Sequence, residues 1–321
     1  MADPGQGSHQ GALEFSVEES ESGQRLDVFL VRRIEGLGRA SAKRMIEEGR
    51  VRIDGRVRRK GAFLQAGERV TLDGEPSLPD FDPLPDEEHS IRIVFEDDDL
   101  LIVDKPAGVH SHPLRRDERG TAANAIMAIA PECAAFGAMR REAGLMNRLD
   151  TETSGLMIVA RSERGAEGMA RLFEREAIDK RYRALAMGEV RAPNSIDLPI
   201  AHHPGDRRKM VALEGYDPSL SERARPAFTE LLSSETLGGR SYLEIRARSA
   251  RRHQVRVHLA ALGHPLVGDE LYEGERIEGL ERHFLHASAL VFTHPISGKE
   301  HVFKSPLPEE LRRALSSLGF A

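Results

Sequence analysis

A proline- and acid-rich stretch, residues 75–89, restricts the fold of this chain more than any other feature of its sequence. It reads EPSLPDFDPLPDEEH and holds four prolines in fifteen residues. Proline has no backbone N–H to donate, so prolines at this density interrupt helices and interior strands. We therefore predict a linker over residues 75–90 and, in a chain of 321 residues, a folded part on each side of it.

The part before the linker is basic, although the whole chain carries a net charge of −6. Residues 25–60 contain 12 Lys or Arg against 5 Asp or Glu, and residues 61–100 contain 2 against 12. Binding to a polyanion depends on the residues that meet it and not on the average charge of the chain. The acidic average therefore does not exclude a nucleic-acid partner for residues 25–60.

Two short helices are predicted within this basic part. Leu26, Phe29 and Ile34 recur at helical spacing. Ser41 is a residue type that caps helix N-termini, and a second helix that starts there ends at Gly49.

A tight hairpin is predicted after the helices. The letters RVRIDGRVR, residues 50–58, alternate around Asp54–Gly55, and an Asp-Gly pair favours a two-residue hairpin turn. We predict a disordered tail over residues 1–14, which are polar and Gly-rich, and a small α+β domain over residues 15–74.

This small domain resembles the α-L RNA-binding motif, which is found in a small-subunit ribosomal protein and in several RNA-modifying enzymes. The resemblance covers about residues 23–72 and rests on the order of the helices, Gly49 and the IDG turn. In that family the domain binds RNA through its shape and through phosphate charge. The resemblance therefore implies RNA contacts from basic side chains of the domain. These side chains are Arg39, Lys43, Arg44, Arg50 and Arg58.

After the linker, strand-like runs outnumber helical patterns, without a strict strand–helix–strand alternation. Strand patterns lie at residues 91–95, 100–103, 155–161, 180–190, 241–248 and 284–295, and helical patterns lie at residues 121–130, 164–177 and 251–263. We predict that residues 91–321 form an α+β domain with a mainly antiparallel or mixed sheet, flanking helices and a central cleft. In the last helix, Val255, Leu259 and Leu262 are spaced to face the core, and Ser249 is placed as the N-cap.

The composition and the first residues of the chain indicate the cellular compartment of the protein. Cys133 is the single cysteine, which excludes an intrachain disulfide and is typical of a reducing compartment. The first 14 residues lack the basic start and the apolar stretch of a signal peptide. No apolar run reaches the roughly 20 residues that a membrane helix needs. We expect a cytoplasmic protein without a membrane partner.

Arg148 and Asp150 lie in a polar, turn-prone stretch directly before the apolar run at residues 156–160. A catalytic carboxylate at the end of a strand has this pattern. A surface ion pair, which stabilises a fold by about 0–1 kcal/mol, has it as well. These residues by themselves leave both interpretations open.

Four segments of the second part, taken in order, favour the catalytic interpretation. They are KPAGVHSHP (105–113), NRLDTETSGL (147–156), KRYRAL (180–185) and SARRHQVRVHLAALGHPLVGD (249–269). Together they resemble the pseudouridine synthases of the ribosomal large-subunit (RluA/RluD) type, which often carry the same basic domain at their N-terminus. Members of that family isomerise selected uridines in structured RNA. They cut the N1–C1′ glycosidic bond, turn the base and rejoin it through C5, with no cofactor.

The resemblance implies a role for three residues in the chemistry. Asp150 matches the catalytic aspartate, either as nucleophile at C1′ or as general base that removes a sugar proton. Tyr182 lies in the pocket, where its ring stacks on the uracil and its hydroxyl assists removal of the C5 proton. Arg256 is the ion-pair partner of Asp150, because a nearby guanidinium keeps a pocketed carboxylate ionised.

The resemblance also implies contacts with RNA in the second part. Arg148 helps to extrude the target nucleotide and occupies the space that it leaves, since a stacked base is out of reach of an enzyme. Arg251 and Arg252 bind RNA, with a phosphate as the partner of Arg251. The helix start after Ser249 offers free amides to a phosphate.

The sequence departs from the family pattern at two places. Asn147 stands where histidine is usual, and Ser249–Ala250 stands where Thr-Gly is usual. Asparagine cannot be charged, and alanine is less permissive in a turn than glycine. His253, His258 and His264 lack the carboxylate partners and spacing of a known metal site, so we expect no metal.

We predict an enzyme that isomerises uridines in structured RNA, with ribosomal large-subunit RNA as the leading substrate and transfer RNA as a close variant. A second possibility is a non-catalytic RNA-binding or ribosome-assembly factor on a diverged scaffold, which Asn147 favours. A third is a glycosidase or nucleoside hydrolase, but such enzymes commonly use two carboxylates, and NRLD holds one. No extended oligomerisation helix is present in the pattern, so we expect a monomer.

Overall fold

The computed structural model describes residues 13–34, 37, 39–58, 61–73, 81–206, 208–215, 220–221, 224–249 and 251–320, and for residues 39–41 it describes the backbone alone. The chain divides into two compact units, Met1–Asp80 and Phe81–Ala321. Residues 1–12 of the predicted tail and residues 75–80 of the predicted linker lie outside the described residues.

The first unit contains two helices and a four-stranded antiparallel sheet. The helices are α1 (Leu26–Arg33) and α2 (Arg39–Glu47), and the strands, in sheet order, are β1 (Leu13–Ser16), β4 (Arg69–Leu72), β2 (Val51–Ile53) and β3 (Arg56–Val57). Strand β1 corrects the predicted tail, because Leu13 and Glu14 pair with β4 in regular register.

The predicted helices and hairpin of this unit are confirmed, but the predicted N-cap at Ser41 is wrong, because α2 already begins at Arg39. Leu26 and Phe29 on one face of α1 are fully buried. Helix α2 begins two residues before Ser41, whose side chain lies outside the described residues. Asp54 (φ 49°) and Gly55 (φ 74°) both adopt the left-handed conformation that a type I′ hairpin turn requires.

The second unit is built on a large sheet in which, among the described residues, nine strands take part. They are β5 (Arg92–Glu96), β6 (Leu100–Lys105), β7 (Ser154–Ala160), β8 (Asp179–Met187), β9 (Asn194–Asp197), β12 (Phe228–Leu237), β13 (Arg240–Ala247), β14 (Leu285–Thr293) and β15 (Glu300–Lys304). Their order is β5-β6-β7-β14-β8-β13-β12-β9, with β15 beside β14. Among the strand pairs of the described residues only β7–β14 is parallel, so the predicted α+β class with a mainly antiparallel sheet is confirmed.

Four helices and a small hairpin complete this unit. They are α3 (Ala122–Ile129), α4 (Glu163–Glu174), α5 (Gln254–Ala261), α6 (Glu309–Ser317) and the hairpin strands β10 (Ile200–His202) and β11 (Met210–Ala212). None of the described helices is both long enough and apolar enough to cross a membrane.

Strand β7 lies in the interior of the sheet and directly follows the turn at residues 150–153. All seven of its residues are buried, because α3 covers one face of the sheet and α4 the other. Gly155 has φ +120°, and a Cβ atom there would lie 2.2 Å from the carbonyl oxygen of Ala287 on β14. The close parallel pairing therefore requires glycine at the second residue of β7.

Part of the predicted linker belongs to the second unit. Phe81 is 4% exposed. The Asp86 carboxylate accepts a hydrogen bond from the N–H of Gly120 at 2.9 Å, and the Asn124 side chain donates to the carbonyl oxygen of Leu84 at 2.7 Å. Proline prevents these residues from joining a sheet, but it does not prevent irregular chain from packing against one. The linker prediction was therefore wrong for residues 81–90.

The helix that carries Arg256 starts later than predicted. Its N-cap is His253, in the left-handed conformation (φ 55°), and not Ser249. The Ser249 hydroxyl instead bonds the Gln254 side chain at 2.9 Å, which ties the preceding loop to the first helical residue. Leu262, predicted in the core, is 41% exposed, because α5 ends at Ala261 and the chain turns away.

Candidate active site

Asp150 lies in the turn that leads into β7. The N–H of Thr153 donates to its carbonyl oxygen at 3.0 Å, and its side chain is 22% exposed. Carboxylate Oδ2 accepts a hydrogen bond from Nη1 of Arg256, on α5, at 2.9 Å. Within the described part of the chain, Oδ1 accepts none. The pairing that the resemblance implied is present, with one carboxylate oxygen held and the other open.

The charges around Asp150 favour its ionised form. Burial raises the pKa of this carboxyl, but the charge that His253 carries when protonated and the charge and hydrogen bond of Arg256 outweigh burial and lower the pKa below 3.8. Burial lowers the pKa of His253 to about 4. At pH 7 this imidazole is therefore neutral, and Arg256 is the cation paired with Asp150.

Arg256 itself is held by a second carboxylate. Its Nε donates to Oδ2 of Asp269 at 2.7 Å, and its Nη2 donates to Oδ1 at 2.8 Å. The guanidinium carbon lies 5.2 Å from the centroid of the Tyr272 ring. The Arg256 side chain is 7% exposed and that of Asp269 is 1% exposed, so a single cation lies between two carboxylates in a site with little water.

His253 completes the polar cluster. Its Nδ1 lies 2.9 Å from the Tyr272 hydroxyl, and its Nε2 lies 3.9 Å from Oδ2 of Asp150. The N–H of Met210, in the β10–β11 hairpin, donates to the same hydroxyl at 2.8 Å. The left-handed backbone of His253 directs its ring into this cluster, at a φ value that is unusual outside glycine.

Tyr182 lies on β8 and packs against apolar side chains on the sheet. Burial and the nearby charge of Asp150 raise the pKa of its phenol to about 12. The phenol therefore stays protonated at neutral pH. Among the described residues it has no hydrogen-bond partner within the protein, so its hydroxyl is available to a ligand.

Lys105 connects the KPAG turn to the Asp150 turn. It is fully buried, and its ammonium group donates to the carbonyl oxygens of Pro106, Val109 and Thr151 at 2.9, 2.7 and 3.0 Å. Burial lowers the pKa of Lys105 to about 7. The sequence assigned this residue no catalytic step. In the structure its ammonium group joins the loop at residues 106–109 to the turn that contains Thr151.

Asn147, the departure from the family pattern, has a structural partner. Its side-chain oxygen accepts a hydrogen bond from the N–H of Ile158 at 2.8 Å, and the residue is 8% exposed. A neutral amide oxygen meets this requirement without a charge. The substitution therefore fits the fold around Asp150.

The predicted RNA-binding arginines of the second unit lie at its surface. Arg148 and Arg252 are exposed, and Arg148 Nη1 is 4.0 Å from a carboxylate oxygen of Glu142. Arg251 is exposed as well and donates from Nε to the carbonyl oxygen of Pro226 at 3.1 Å. Along the chain, Arg148 precedes Asp150 by two residues, and Arg251 and Arg252 precede α5, the helix that carries Arg256.

The predicted RNA-binding residues of the first unit have mixed exposure. Arg44 and Arg58 are exposed and Lys43 is half-buried. Arg50 is half-buried and donates from Nε to a backbone carbonyl oxygen at 3.1 Å. The side chain of Arg39 lies outside the described residues.

All three histidines considered from the sequence as metal ligands bond to the protein itself, His253 through the Tyr272 hydroxyl. His258 bonds the hydroxyl of Thr229 at 2.9 Å and the carbonyl oxygen of Leu198 at 3.0 Å. His264 bonds the carbonyl oxygen of Met187 at 2.9 Å. Among the described residues no group of three His, Cys, Asp or Glu is placed to hold a metal ion.

Sequence reasoning missed Asp269, Tyr272 and the role of His253. The only signal was the position of Asp269 at the end of the fourth segment, where PLVGD reads as a turn. An acidic residue in a turn is ordinarily a surface residue. Nothing along the chain marks it as the partner of a buried arginine thirteen positions earlier.

Comparisons of sequence find similar proteins over most of the chain. A profile described as RNA pseudouridylate synthase matches residues 99–261, and the S4 domain matches residues 24–76. A ribosomal large subunit pseudouridine synthase D of Vibrio parahaemolyticus is 31% identical over 318 residues, which is 95% of this chain and 94% of that protein. An RNA pseudouridine synthase of Aquifex aeolicus, of uncharacterised specificity, is 34% identical over 321 residues, which is 95% of this chain and 96% of that protein.

Comparisons of structure give the same fold. The human RNA pseudouridylate synthase domain containing 1 matches with a TM-score of 0.51 at 25% identity, over 73% of this chain and 96% of that chain. The human RNA pseudouridylate synthase domain containing 4 matches with a TM-score of 0.53 at 24% identity, over 70% of this chain and 92% of that chain.

Proposed function

The chain belongs to the RNA pseudouridylate synthase family, so its reaction is the isomerisation of uridine in RNA, and on this premise we propose that Asp150, Arg256 and Tyr182 carry out that reaction on ribosomal large-subunit RNA. The observation that carries the proposal is the 2.9 Å hydrogen bond between Arg256 and Asp150. This bond brings together two of the four segments that resemble the family, residues 147–156 and residues 249–269, at the carboxylate of Asp150. The choice of ribosomal RNA rests on the names of relatives such as the Vibrio protein.

Asp150 is the residue that reacts with the nucleoside. When the C1′–N1 bond breaks, its electron pair leaves with N1 of the uracil. Either Oδ1 of Asp150 forms a bond to C1′, or it removes a proton from the sugar. The base then turns, and C5 bonds to C1′ as Asp150 leaves C1′ or returns the sugar proton. C5 gives up its proton and N1 takes one up, so the product is an isomer of the substrate.

The low pKa of Asp150 favours the nucleophilic role. A carboxylate whose pKa is lowered from the ordinary aspartate value is a weaker base toward a C–H bond, and it is a better leaving group when C5 displaces it from C1′. Arg256 contributes by holding Oδ2, which fixes the rotamer and directs Oδ1 toward the open side of the site.

Tyr182 acts through its ring and its O–H group. A phenol with a pKa of about 12 holds its proton at neutral pH, which argues against phenolate as the base for the C5 proton. We assign the ring to stacking on uracil and the hydroxyl to donating a hydrogen bond to the base while it carries the electron pair from C1′.

RNA is held by exposed cations on both units. Arg148 takes the space of the extruded nucleotide, and Arg251 and Arg252 bind the flanking backbone. The S4-type unit anchors longer RNA through phosphate contacts, which depend on salt and little on sequence.

A hydrolase is disfavoured by the same geometry. A glycosidase that uses a second carboxylate to activate water needs that carboxylate to be accessible. Asp269, the second carboxylate near Asp150, is 1% exposed and both of its oxygens accept hydrogen bonds from Arg256. The non-catalytic alternative rested on Asn147, whose contact with Ile158 gives it a structural reason. We propose further that the protein works in the cytoplasm as a monomer, without a cofactor.

The test is direct. The protein is incubated with unmodified ribosomal large-subunit RNA and, separately, with transfer RNA, and pseudouridine is mapped by carbodiimide-dependent stops of reverse transcription. We expect new stops in ribosomal RNA that are absent with Asp150→Asn and present with Asp179→Asn, whose carboxylate pairs with Arg181 and Arg246 instead. Stops confined to transfer RNA would overturn the substrate, and stops that persist with Asp150→Asn would overturn the role of Asp150.

A further inference from the structure

The guanidinium of Arg256 is fixed by a short segment that has no assigned part in the reaction. We propose that Asp269, in the segment 268–274, is a positioning residue that acts on the reaction through Arg256. This inference rests on the proposed function, because it concerns the cation that holds Asp150.

Asp269 holds the guanidinium at two points. The Nε and Nη2 groups donate to its two oxygens at 2.7 and 2.8 Å, which is the parallel, two-bond geometry that restricts a guanidinium most strongly. This contact fixes the plane of the group. Nη1 is then the corner directed at Asp150, which it reaches at 2.9 Å.

The backbone of the segment makes Asp269 itself rigid. A Cβ atom at Gly268 (φ +78°) would lie 2.1 Å from the carbonyl oxygen of Arg282, and one at Gly274 would lie 1.9 Å from that of Leu266. The N–H of Gly274 donates to the carbonyl oxygen of Asp269 at 2.9 Å. Glycine at both ends lets the turn lie against neighbouring backbone, so the carboxylate has little freedom to move.

The same turn covers the face of the guanidinium. Tyr272 lies three residues after Asp269 and places its ring 5.2 Å from the guanidinium carbon of Arg256. Its hydroxyl is fixed by His253 at 2.9 Å and by the N–H of Met210 at 2.8 Å. A single turn therefore binds the Nε and Nη2 groups of Arg256 through Asp269 and covers its guanidinium plane with Tyr272. The Nη1 group remains to donate to Asp150.

The charges explain why a second carboxylate is useful there. A cation that is 7% exposed and paired with Asp150 alone would lose its compensation whenever Asp150 loses its charge by forming a bond to C1′. Asp269 keeps Arg256 compensated through that step. It also shares the attraction of the guanidinium, so Asp150 is held without being fully neutralised.

The test is a double-mutant cycle of Asp269→Asn and Arg256→Met, with single-turnover rates and RNA affinity measured for the full chain. We expect Asp269→Asn to lower the rate about 100-fold, the cost of a small misplacement at a reacting centre, with RNA affinity unchanged. In the Arg256→Met background the same change should lower the rate no further. Two losses that multiply would overturn the inference, because a residue that acts through Arg256 has no effect once Arg256 is gone.

Thermal unfolding of the same four proteins gives a readout that does not need activity. Arg256→Met alone leaves a buried carboxylate without its cation, so its melting temperature should fall, and adding Asp269→Asn should raise it again. A double variant that melts below Arg256→Met would overturn the inference. If the wild-type protein isomerised no uridine in any RNA, the proposed function would fail, and the melting cycle would still decide the pairing.

Asp269→Glu covers the case in which Asp269→Asn does not fold. It keeps the charge but moves the carboxylate by one methylene, so we expect a folded protein with a lowered rate at unchanged RNA affinity. A rate equal to wild type would contradict a role in positioning. Asp179→Asn is the matched control for removal of an Arg-paired carboxylate, and it should leave the rate unchanged.

Discussion

The ammonium group of Lys105 donates a hydrogen bond to the carbonyl oxygen of Thr151 at 3.0 Å, and Thr151 directly follows Asp150 in the chain. Two further bonds join the same nitrogen to the carbonyl oxygens of Pro106 and Val109. Together with the N–H of Gly108, which donates to the same Thr151 oxygen at 3.0 Å, this buried side chain joins two loops, and the proposed nucleophile lies on one of them.

Replacement of Lys105 by methionine should separate these loops. The carbonyl oxygens of Pro106, Val109 and Thr151 lose this donor, although that of Thr151 keeps the N–H of Gly108 at 3.0 Å, and a buried acceptor left unsatisfied costs about 1–3 kcal/mol. We expect the free energy of unfolding, measured in urea, to fall by that order and the rate of isomerisation to fall with it. Lys299→Met, at an exposed lysine, is the matched control, and equal unfolding curves for the two variants would contradict the fastening role.

The pH dependence of the rate should show no acid limb from Asp150 in the neutral range. The pKa of Asp150 is lowered below 3.8 and that of Tyr182 is raised to about 12, so Asp150 stays ionised and Tyr182 stays protonated from pH 5 to pH 9. Single-turnover rates over this range provide the measurement. Lys105 has a pKa of about 7, so its own titration changes the rate near neutral pH in the wild-type protein. The prediction is contradicted if the rate of Lys105→Met still falls as the pH is lowered at values above pH 5.

Acid unfolding should depend on His283. This residue is 5% exposed, its Nε2 lies 2.8 Å from the Thr153 hydroxyl, and burial lowers its pKa from 6.5 to about 3. Between those two pH values the unfolded chain binds a proton that the folded protein does not, so stability is present above pH 6.5 and is lost as the pH falls, by at most about 1.4 kcal/mol per pH unit.

The measurement is urea unfolding at several pH values between 3.5 and 7. We expect His283→Gln to lose stability less steeply than wild type as the pH falls, since its side chain does not titrate. His202→Gln, at an exposed histidine, should follow the wild-type slope. Identical slopes for all three proteins would show that His283 takes no part in acid unfolding.

Gly155→Ala should disrupt the sheet beside the active site. The new Cβ would lie 2.2 Å from the carbonyl oxygen of Ala287 at a φ of +120°, so β7 and β14 would have to move apart. We expect a loss of stability of about 3 kcal/mol, at the upper end of overpacking effects, in thermal or urea unfolding. Gly215→Ala, with open space around its Cβ, should have little effect, and a Gly155→Ala protein as stable as that control would refute the close approach.

Arg58→Glu should weaken RNA binding without changing the chemistry. Arg58 is exposed in the S4-type unit, and each lost phosphate contact reduces the slope of log K against log salt by about 1. The measurement is affinity for ribosomal RNA at several salt concentrations, together with the rate at saturating protein. Arg312→Glu, an equal charge change at an exposed position of α6, is the control. A salt slope equal to that of Arg312→Glu would remove Arg58 from the RNA contact.

Local chemistry made much of the fold predictable from the sequence. The spacing of Leu26 and Phe29 encodes α1, and Asp54–Gly55 encodes a hairpin, because in each case the residues that decide the structure are near neighbours. The apolar run at residues 156–160 was recognisable as a buried strand for the same reason. The pairing of Asp150 with Arg256 was reached by family resemblance and not by local pattern, since 106 positions separate the two.

The errors arose where packing overrides local pattern. Residues 81–90 contain prolines and acids, yet they pack on the second unit through Asp86 and Leu84. Ser249 is a good cap by type, but the backbone of His253 turns into the left-handed conformation and starts α5 four residues later. Helix spacing placed Leu262 in the core, and the end of α5 at Ala261 exposes it.

The sequence by itself determined the basic N-terminal domain, the α+β class and the family, because periodicity, turn residues and ordered motifs are properties of short stretches of chain. Tertiary structure alone decided that Asp269 and Tyr272 enclose Arg256 and that Lys105 fastens the Asp150 turn. These contacts join residues from separate loops and a helix inside a site with little water. Because Asp269 and Lys105 are buried, their charges and hydrogen bonds hold the site in place, whereas the same residue types at the surface contribute little to its arrangement.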